Sequence, residues 1–371
     1  MRPWPRRATR ALATLAALGV LLGAAAHAAR AQTDTAHGVD ATGQEPLRLR
    51  IVGSLGQLNV YTRHERPFWT EVLPRVSDGR LAADIVAFDQ AGLGGSDMLR
   101  LVQAGAVPFA TALVPLVAAQ DPRLGAPDLA GLNPDLPTMR RHTAAFRPYL
   151  AQRLRERWGA ELLAVYLYPA QVTFCKRPFA SLADLLGRRI RTSNLSQSDF
   201  VEALGAVPVQ TAFADIVPKL KSGDIECAIT GAMSGNIVGL HEVTTHVHTL
   251  ATNWGLAVFI ANDAAWQALP AESRALLRRE LASLEAAIWD ESERETEGGL
   301  ACNRGDASCT DGRRGRMTVV QATPQDLRRG RTIVVGAVLP RWVQRCGAEC
   351  AEVWNRTLAP VTGIEARAPT P

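Results

Sequence analysis

Two spacings of apolar residues alternate along most of this chain. Short runs rich in Val, Ile and Leu give way to stretches whose apolar positions fall three and four apart. LRLRIVGS (47–54) reads as a strand ending at Gly53. Residues 61–76 then set Phe68, Trp69, Val72 and Val76 on one helical face. A strand at 81–88, a helix at 96–104 capped by Ser96 and stopped by Gly105, and a strand at 107–114 follow. Residues 140–158 carry helical spacing and 161–168 a further strand.

From residue 171 the same grammar recurs. A short helix at 181–186 ends at Gly187, and a strand occupies 188–191. A helix capped by Asn194 or Ser196 runs to Leu204 and stops at Gly205. Pro218 fits only the first turn of a helix, so the next helix begins near Asp215. Strands at 224–230 and 256–261 follow, the latter expected to return to the first domain. Residues 270–298 form a long helical stretch carrying Leu276, Leu277, Leu281, Leu284, Ile288 and Trp289, long enough to lie across two domains. A strand at 317–320, a helix opening at Thr323-Pro324 and a final helix over 339–356 complete the order. The alternation predicts an α/β fold with largely parallel sheets, and the length of the chain suggests two domains. Domain I is expected over 47–168, domain II over 169–258, and a return to domain I over 259–371. No tandem repeat of short period is present.

The N-terminus changes the charge picture. Arg2, Arg6, Arg7 and Arg10 precede an apolar run over 11–26 and small residues around Ala28 and Ala31. This is the pattern of a secretory signal peptide over 1–31, cleaved after Ala28 or Ala31, with a polar lead-in over 32–46. The run is short for a spanning helix, which needs about 20 apolar residues. Removing 1–31 takes Lys plus Arg from 41 to 36, equal to Asp plus Glu at 36. A neutral mature chain has no electrostatic motive for binding nucleic acid. Its localisation is expected to be periplasmic.

Six cysteines in an exported chain are expected to pair, and six allow 15 pairings. Cys302 and Cys309 bracket a Gly-, Asn- and Asp-rich loop that suits a local bridge. Cys346 and Cys350 lie four apart on an expected helix. Cys175 and Cys227 each sit in a strand-like run. These spacings are not those of zinc fingers. His241, His246 and His248 do not form H-E-x-x-H and read as solvated helix-end residues. GAMSG (231–235) is not G-x-S-x-G, and GLGGS (92–96) lacks the ending of a phosphate loop. No cofactor, metal or catalytic set is therefore expected, and an exported hydrolase lacks a triad.

SLADLLGRRIR (181–191), FVEALGAVPVQTAFADIVPKLKSGDIECAIT (200–230), and FWTEVLPRVSDGRLAADIV with GGSDMLRLVQAGAVPFA in the first domain carry a resemblance. They resemble the solute-binding proteins of tripartite ATP-independent periplasmic (TRAP) transporters, over most of 47–365. The resemblance implies two α/β domains with a cleft between them that closes over an organic acid, which is then delivered to membrane subunits of the carrier. An extracytoplasmic sensing subunit is the alternative, and the chain is expected to be a monomer or weak dimer. Arg191 falls on the family's carboxylate-gripping Arg, although Arg189 shares its strand face. A guanidinium at a strand end can hold a carboxylate with two parallel hydrogen bonds. Arg188 and Arg189 read as surface residues. Phe213 falls where relatives place an aromatic against the ligand.

Departures from the family qualify the ligand. Gln171 stands where relatives that bind sialic acid or dicarboxylates carry a second Arg. Thr230 stands where relatives often carry an Asn, and Leu113 where some sugar-acid binders have a Glu. The 231–236 loop offers Ser234 and Asn236 at a strand's carboxyl end, where open α/β sheets bind ligands. Trp254, Phe88 and Tyr61 are expected walls, and Gln90 and Asn194 further polar contacts. Together these imply a monocarboxylate with a less polar body.

Overall fold

The computed structural model describes residues 45–368. The leader expected over 1–31 lies outside them. The described residues form two sheets. The first contains β1 (Leu47–Gly53), β2 (Leu81–Ala87), β3 (Phe109–Leu113), β4 (Ala160–Leu167) and β10 (Leu256–Asn262), in the order β2-β1-β3-β10-β4. The second contains β5 (Gln171–Cys175), β6 (Arg189–Thr192), β7 (Val207–Gln210), β8 (Cys227–Gly231), β9 (His246–Asn253) and β11 (Thr318–Val320), in the order β11-β9-β5-β8-β6-β7. Helices flank both, and the strands they cover are buried on both faces: every residue of the central strands β3 and β8, and of the edge strand β4, is buried.

The expectation of largely parallel sheets holds for only part of each. β1 runs parallel to β2 and β3, and β6 parallel to β7 and β8, but β10 is antiparallel to β3 and β4 and β5 is antiparallel to β8 and β9. The reason lies in the crossings. Only Tyr168, Pro169 and Ala170 separate β4 from β5, and only Trp254 and Gly255 separate β9 from β10. The strands on either side of each link lie in different sheets, so the chain leaves one sheet and enters the other without pairing back on itself. Two extended segments thus pass from sheet to sheet beside each other in opposite directions.

A third connection is the helix Ala271–Arg304. It hydrogen-bonds progressively along the crossing. Trp289 Nε1 donates to the Val165 carbonyl at 2.8 Å, Ser292 Oγ to Leu167 at 2.5 Å, Thr296 Oγ1 accepts from Ala170 N at 3.0 Å, and Asn303 Nδ2 donates to Ala232 at 3.0 Å. It outruns the expected end at 298 because Gly298 and Gly299 continue the helix. At Gly299 an added Cβ would sit 2.3 Å from Met233 N, so a glycine lets two backbones touch here.

Other differences are local. His246 and His248 lie in β9, not at a helix end, and His248 is buried, its Nδ1 accepting from Leu250 N at 3.1 Å. Ser96 sits inside a single 3₁₀ turn, Gly95–Asp97, and makes no cap. The final helix is interrupted at Gly347 (φ 90°), giving Leu339–Cys346 and Ala348–Thr357. Cysteines pair as 175–227, 302–309 and 346–350. The first joins directly opposed residues of β5 and β8.

Candidate functional site

Between the two sheets lies a cavity of about 560 Å³. The first sheet's side contributes Leu55, Leu58, Phe88, Asp89, Leu113 and Leu116; the second contributes Arg191, Ser193, Gln210, Thr211, Phe213, Thr230 and Ser234. Tyr168, Gln171 and Gly255 line it from the crossings. β6 and β8 both point their carboxyl ends here, where an open α/β sheet leaves strand-end groups facing a crevice.

Arg191 is the cavity's buried cation, 4% exposed. Its position follows from β6: Arg189 opens the strand in solvent, and two residues on, the same face has entered the interior. Arg191 Nε donates to the Thr211 carbonyl at 3.0 Å and Nη1 to the Ile229 carbonyl at 2.6 Å. Those bonds fix the plane of the guanidinium and leave Nη2 and one Nη1 proton unclaimed. Burial pulls its pKa down to about 10, and among the described residues no carboxylate offsets that burial. The side chain is still charged at neutral pH. A buried cation with its orientation set and no counter-ion is ready to take an anion from outside.

Neighbouring groups are mainly apolar or neutral. Asp89 is exposed, and its Oδ1 accepts from Gly56 N at 3.0 Å. Below Leu55, Glu65 is fully buried. It accepts from Ser54 N at 2.8 Å and Ser54 Oγ at 2.6 Å, and from the Thr111 hydroxyl, which ties the end of β1 to the middle of β3. Burial raises its pKa. It braces the cavity wall and does not line it.

Of the residues anticipated from sequence, Arg191, Gln171, Phe213, Thr230, Ser234, Phe88 and Leu113 line the cavity. Five others do not: the polar groups of Asn236, Trp254 and Asn194 are used elsewhere, Gln90 is exposed and Tyr61 is buried in the core. Asn236 is 0% exposed; its amide donates to Asn303 Oδ1 and the Arg313 carbonyl and accepts from Arg313 N. Trp254 donates its indole N–H to the Asn133 carbonyl at 3.1 Å. Asn194 caps the helix Leu195–Ala203 by accepting from Gln197 N at 2.9 Å, and faces an adjoining cavity of about 400 Å³. Gln90 is exposed and lies over Gly56. Tyr61 packs on Gly53 in the core. Arg188 is not a free surface residue: it donates to the Arg177 and Pro178 carbonyls and lies over the Phe179 ring.

Sequence reasoning missed Tyr168, Asp89, Ser193, Gln210 and Thr211. Gln210 and Thr211 had a usable signal, since one ends and the other follows β7, the strand beside β6. Among the described residues no group of His, Cys, Asp and Glu is arranged to hold a metal, and no helix is long and apolar enough to cross a membrane.

Two sheets joined by paired crossings, with a cavity between them, define a two-domain binding protein. The sequence profile of the bacterial extracellular solute-binding proteins, family 7, matches residues 64–327, and the chain belongs to that family of transport receptors, which are not enzymes. Solved structures share the fold. An extracytoplasmic solute receptor of Bordetella pertussis that binds pyroglutamic acid superposes with a TM-score of 0.71 at 24% identity, over 84% of this chain and 99% of its own. A TRAP periplasmic solute-binding protein of Desulfovibrio salexigens with bound orotic acid gives 0.73 at 14% identity, over 85% and 99%. One from Desulfovibrio desulfuricans with bound sn-glycerol-3-phosphate gives 0.71 at 13%, over 87% and 99%. No curated protein sequence matches the chain.

Proposed function

We propose that this chain is the periplasmic receptor of a TRAP carrier. It captures an organic acid bearing one carboxylate on Arg191 and delivers it to the carrier's membrane subunits. The observation that carries this reading is Arg191 itself: buried, held by two backbone carbonyls, lining the cavity and lacking a protein counter-ion. Such a group retains its charge only at a desolvation cost that an incoming carboxylate offsets.

A single carboxylate suits the rest of the lining. Gln171 and Thr230 bring no second positive charge, and Asp89 would repel a second carboxylate. Leu55, Leu58, Phe88, Leu116 and Phe213 offer an apolar surface to the ligand's body. Hinge motion about the two crossings and the long helix would close the sheets over the ligand. Three disulfides fit export, as does the leader read from residues 1–31.

The test is a thermal-shift screen of organic acids on the protein and on Arg191→Ala. Monocarboxylates such as pyroglutamate and orotate should raise the wild-type melting temperature and leave the variant unmoved. Equal responses of the two proteins would overturn the reading.

A further inference from the structure

We propose that Gln171 restricts this receptor to monocarboxylates that also carry a hydrogen-bond donor, an N–H or O–H, on the body of the acid. The inference rests on the carboxylate-receptor reading above and adds a second point of recognition to it.

Gln171 opens β5 immediately after the first crossing. Its Nε2 donates to the Pro169 carbonyl at 2.9 Å and to the Trp254 carbonyl at 3.3 Å, one on each crossing. A side-chain amide nitrogen has two protons, so both are used. The remaining polar atom is Oε1, on a residue that lines the cavity. The amide cannot usefully be turned over. Doing so would lose both bonds and set Oε1 against two carbonyl oxygens. Gln171 therefore faces a ligand as an acceptor only.

The other polar groups nearby do not impose the same condition. Arg191 only donates. The hydroxyls of Thr230 and Ser234 rotate to donate or accept. Asp89 is exposed and already accepts from Gly56 N. The hydroxyls of Tyr168, Ser193 and Thr211 also rotate, and among the described residues no hydrogen bond holds the Gln210 amide, which can present either end. Gln171 is thus the neutral side-chain acceptor whose orientation is fixed. A ligand without a donor would leave Oε1 shut away from water when the sheets close, whereas a ligand with one would satisfy it. Because the same amide holds both crossings, the ligand's donor also engages the hinge.

The experiment is isothermal titration of the protein with paired acids that differ only in the donor. One pair is 5-oxopyrrolidine-2-carboxylate and 5-oxotetrahydrofuran-2-carboxylate, in which N–H becomes O. The other is 3-phenyllactate and 3-phenylpropanoate, in which O–H becomes H. The donor-bearing member should bind roughly tenfold to a hundredfold more tightly, the scale of leaving a buried acceptor unpaired. In Gln171→Met the ratio within each pair should fall to near unity. Taking the ratio within one variant cancels any loosening of the hinge. A wild-type ratio near unity, or a ratio unchanged in Gln171→Met, overturns the proposal while leaving the Arg191 reading intact. Binding of these acids that survives Arg191→Ala unweakened would instead remove that reading, and this inference with it.

Discussion

Asp128 Oδ1 accepts a hydrogen bond from the Trp254 backbone N–H at 2.9 Å. Its Oδ2 accepts from Gly255 N at 2.8 Å and Asn253 Nδ2 at 3.2 Å. One buried carboxylate from the first sheet's side thus holds three donors of the second crossing, opposite the amide of Gln171. Asp128→Asn keeps the size but replaces an acceptor with an N–H that faces other N–H groups. We expect a loss of about 1–3 kcal/mol in urea unfolding. An unchanged midpoint would show that the crossing does not depend on this carboxylate.

Two buried carboxyls give the stability a pH dependence of definite sign. Burial pushes Asp128 up to about 6 and Glu295 up to about 7, hydrogen bonds opposing it in each case. Both are raised above their unfolded values, so the folded protein binds more protons than the unfolded chain in this window. The stability linked to them is present at low pH and lost as pH rises through the folded values. For Glu295 the window runs from about 4.5 to about 7. Glu295→Gln keeps an acceptor for Asn59 Nδ2 and removes the titration. The urea midpoint should fall between pH 5 and pH 8 in the wild type, with a shallower slope in the variant. Parallel curves would count against Glu295.

Gly298 and Gly299 are neighbours in the long helix with opposite expected responses. A Cβ at Gly299 would lie 2.5 Å from the Ala232 carbonyl carbon and 2.7 Å from Met233 Cα, backbone atoms that cannot step aside. At Gly298 the nearest atom is Met233 Cε at 3.6 Å, an ordinary contact. Gly299→Ala should therefore destabilise by about 1–3 kcal/mol, as overpacking does. Gly298→Ala should stabilise by about 0.5–1 kcal/mol through helix propensity. Thermal unfolding of the two single variants measures both, and equal shifts would contradict the close approach at Gly299.

The Gly298-Gly299 pair also marks where sequence reading stops. Local spacing gave strands and helices near their true limits: 188–191 against Arg189–Thr192, and a helix starting near Asp215 against Ile216–Ser222. Glycine ends a helix by default, and only contact with the helix Ala232–Ile237, remote in sequence, reverses that. The same limit explains the site. A cation at the end of the 188–191 strand was legible from local context, but Arg189 shares the strand face, and the family resemblance is what singled out Arg191. Asn236 and Trp254 were not legible, since their partners lie 77 and 121 residues away. β9 was missed because His246, His248 and Thr249 break the apolar run. Those polar positions are accommodated between β5 and β11, a pairing that spacing does not reveal.

The three disulfides should differ in worth. In the chain-entropy picture the benefit grows with the loop closed. Cys175–Cys227 spans 52 residues and Cys346–Cys350 only 4. Replacing the first pair by alanines should cost about 4 kcal/mol, and the second about 2 kcal/mol. Calorimetric melting of the two double variants gives the order. A larger loss from the 346–350 pair would mean that this bridge acts by holding the break at Gly347, not through loop entropy.

Arg191→Lys separates charge from geometry. Lysine keeps the positive charge but has three donors on one atom in place of a planar fork. The Arg191 guanidinium spends one Nε and one Nη1 proton on Thr211 and Ile229 and still presents a free edge to the cavity. An ammonium that satisfied the same two carbonyls would have one proton left, too few for a two-bond grip on a carboxylate. If instead it turned to the ligand, it would strand the Ile229 carbonyl within β8 or the Thr211 carbonyl after β7. Either way at least one charge-assisted hydrogen bond is lost, each worth about 1.5–3 kcal/mol. Affinity for the best monocarboxylate should drop roughly tenfold to a hundredfold in isothermal titration. Arg191→Ala should lose binding altogether. Full affinity in Arg191→Lys would mean that the cavity uses the charge alone, and that the fixed plane of the guanidinium does not select the acid.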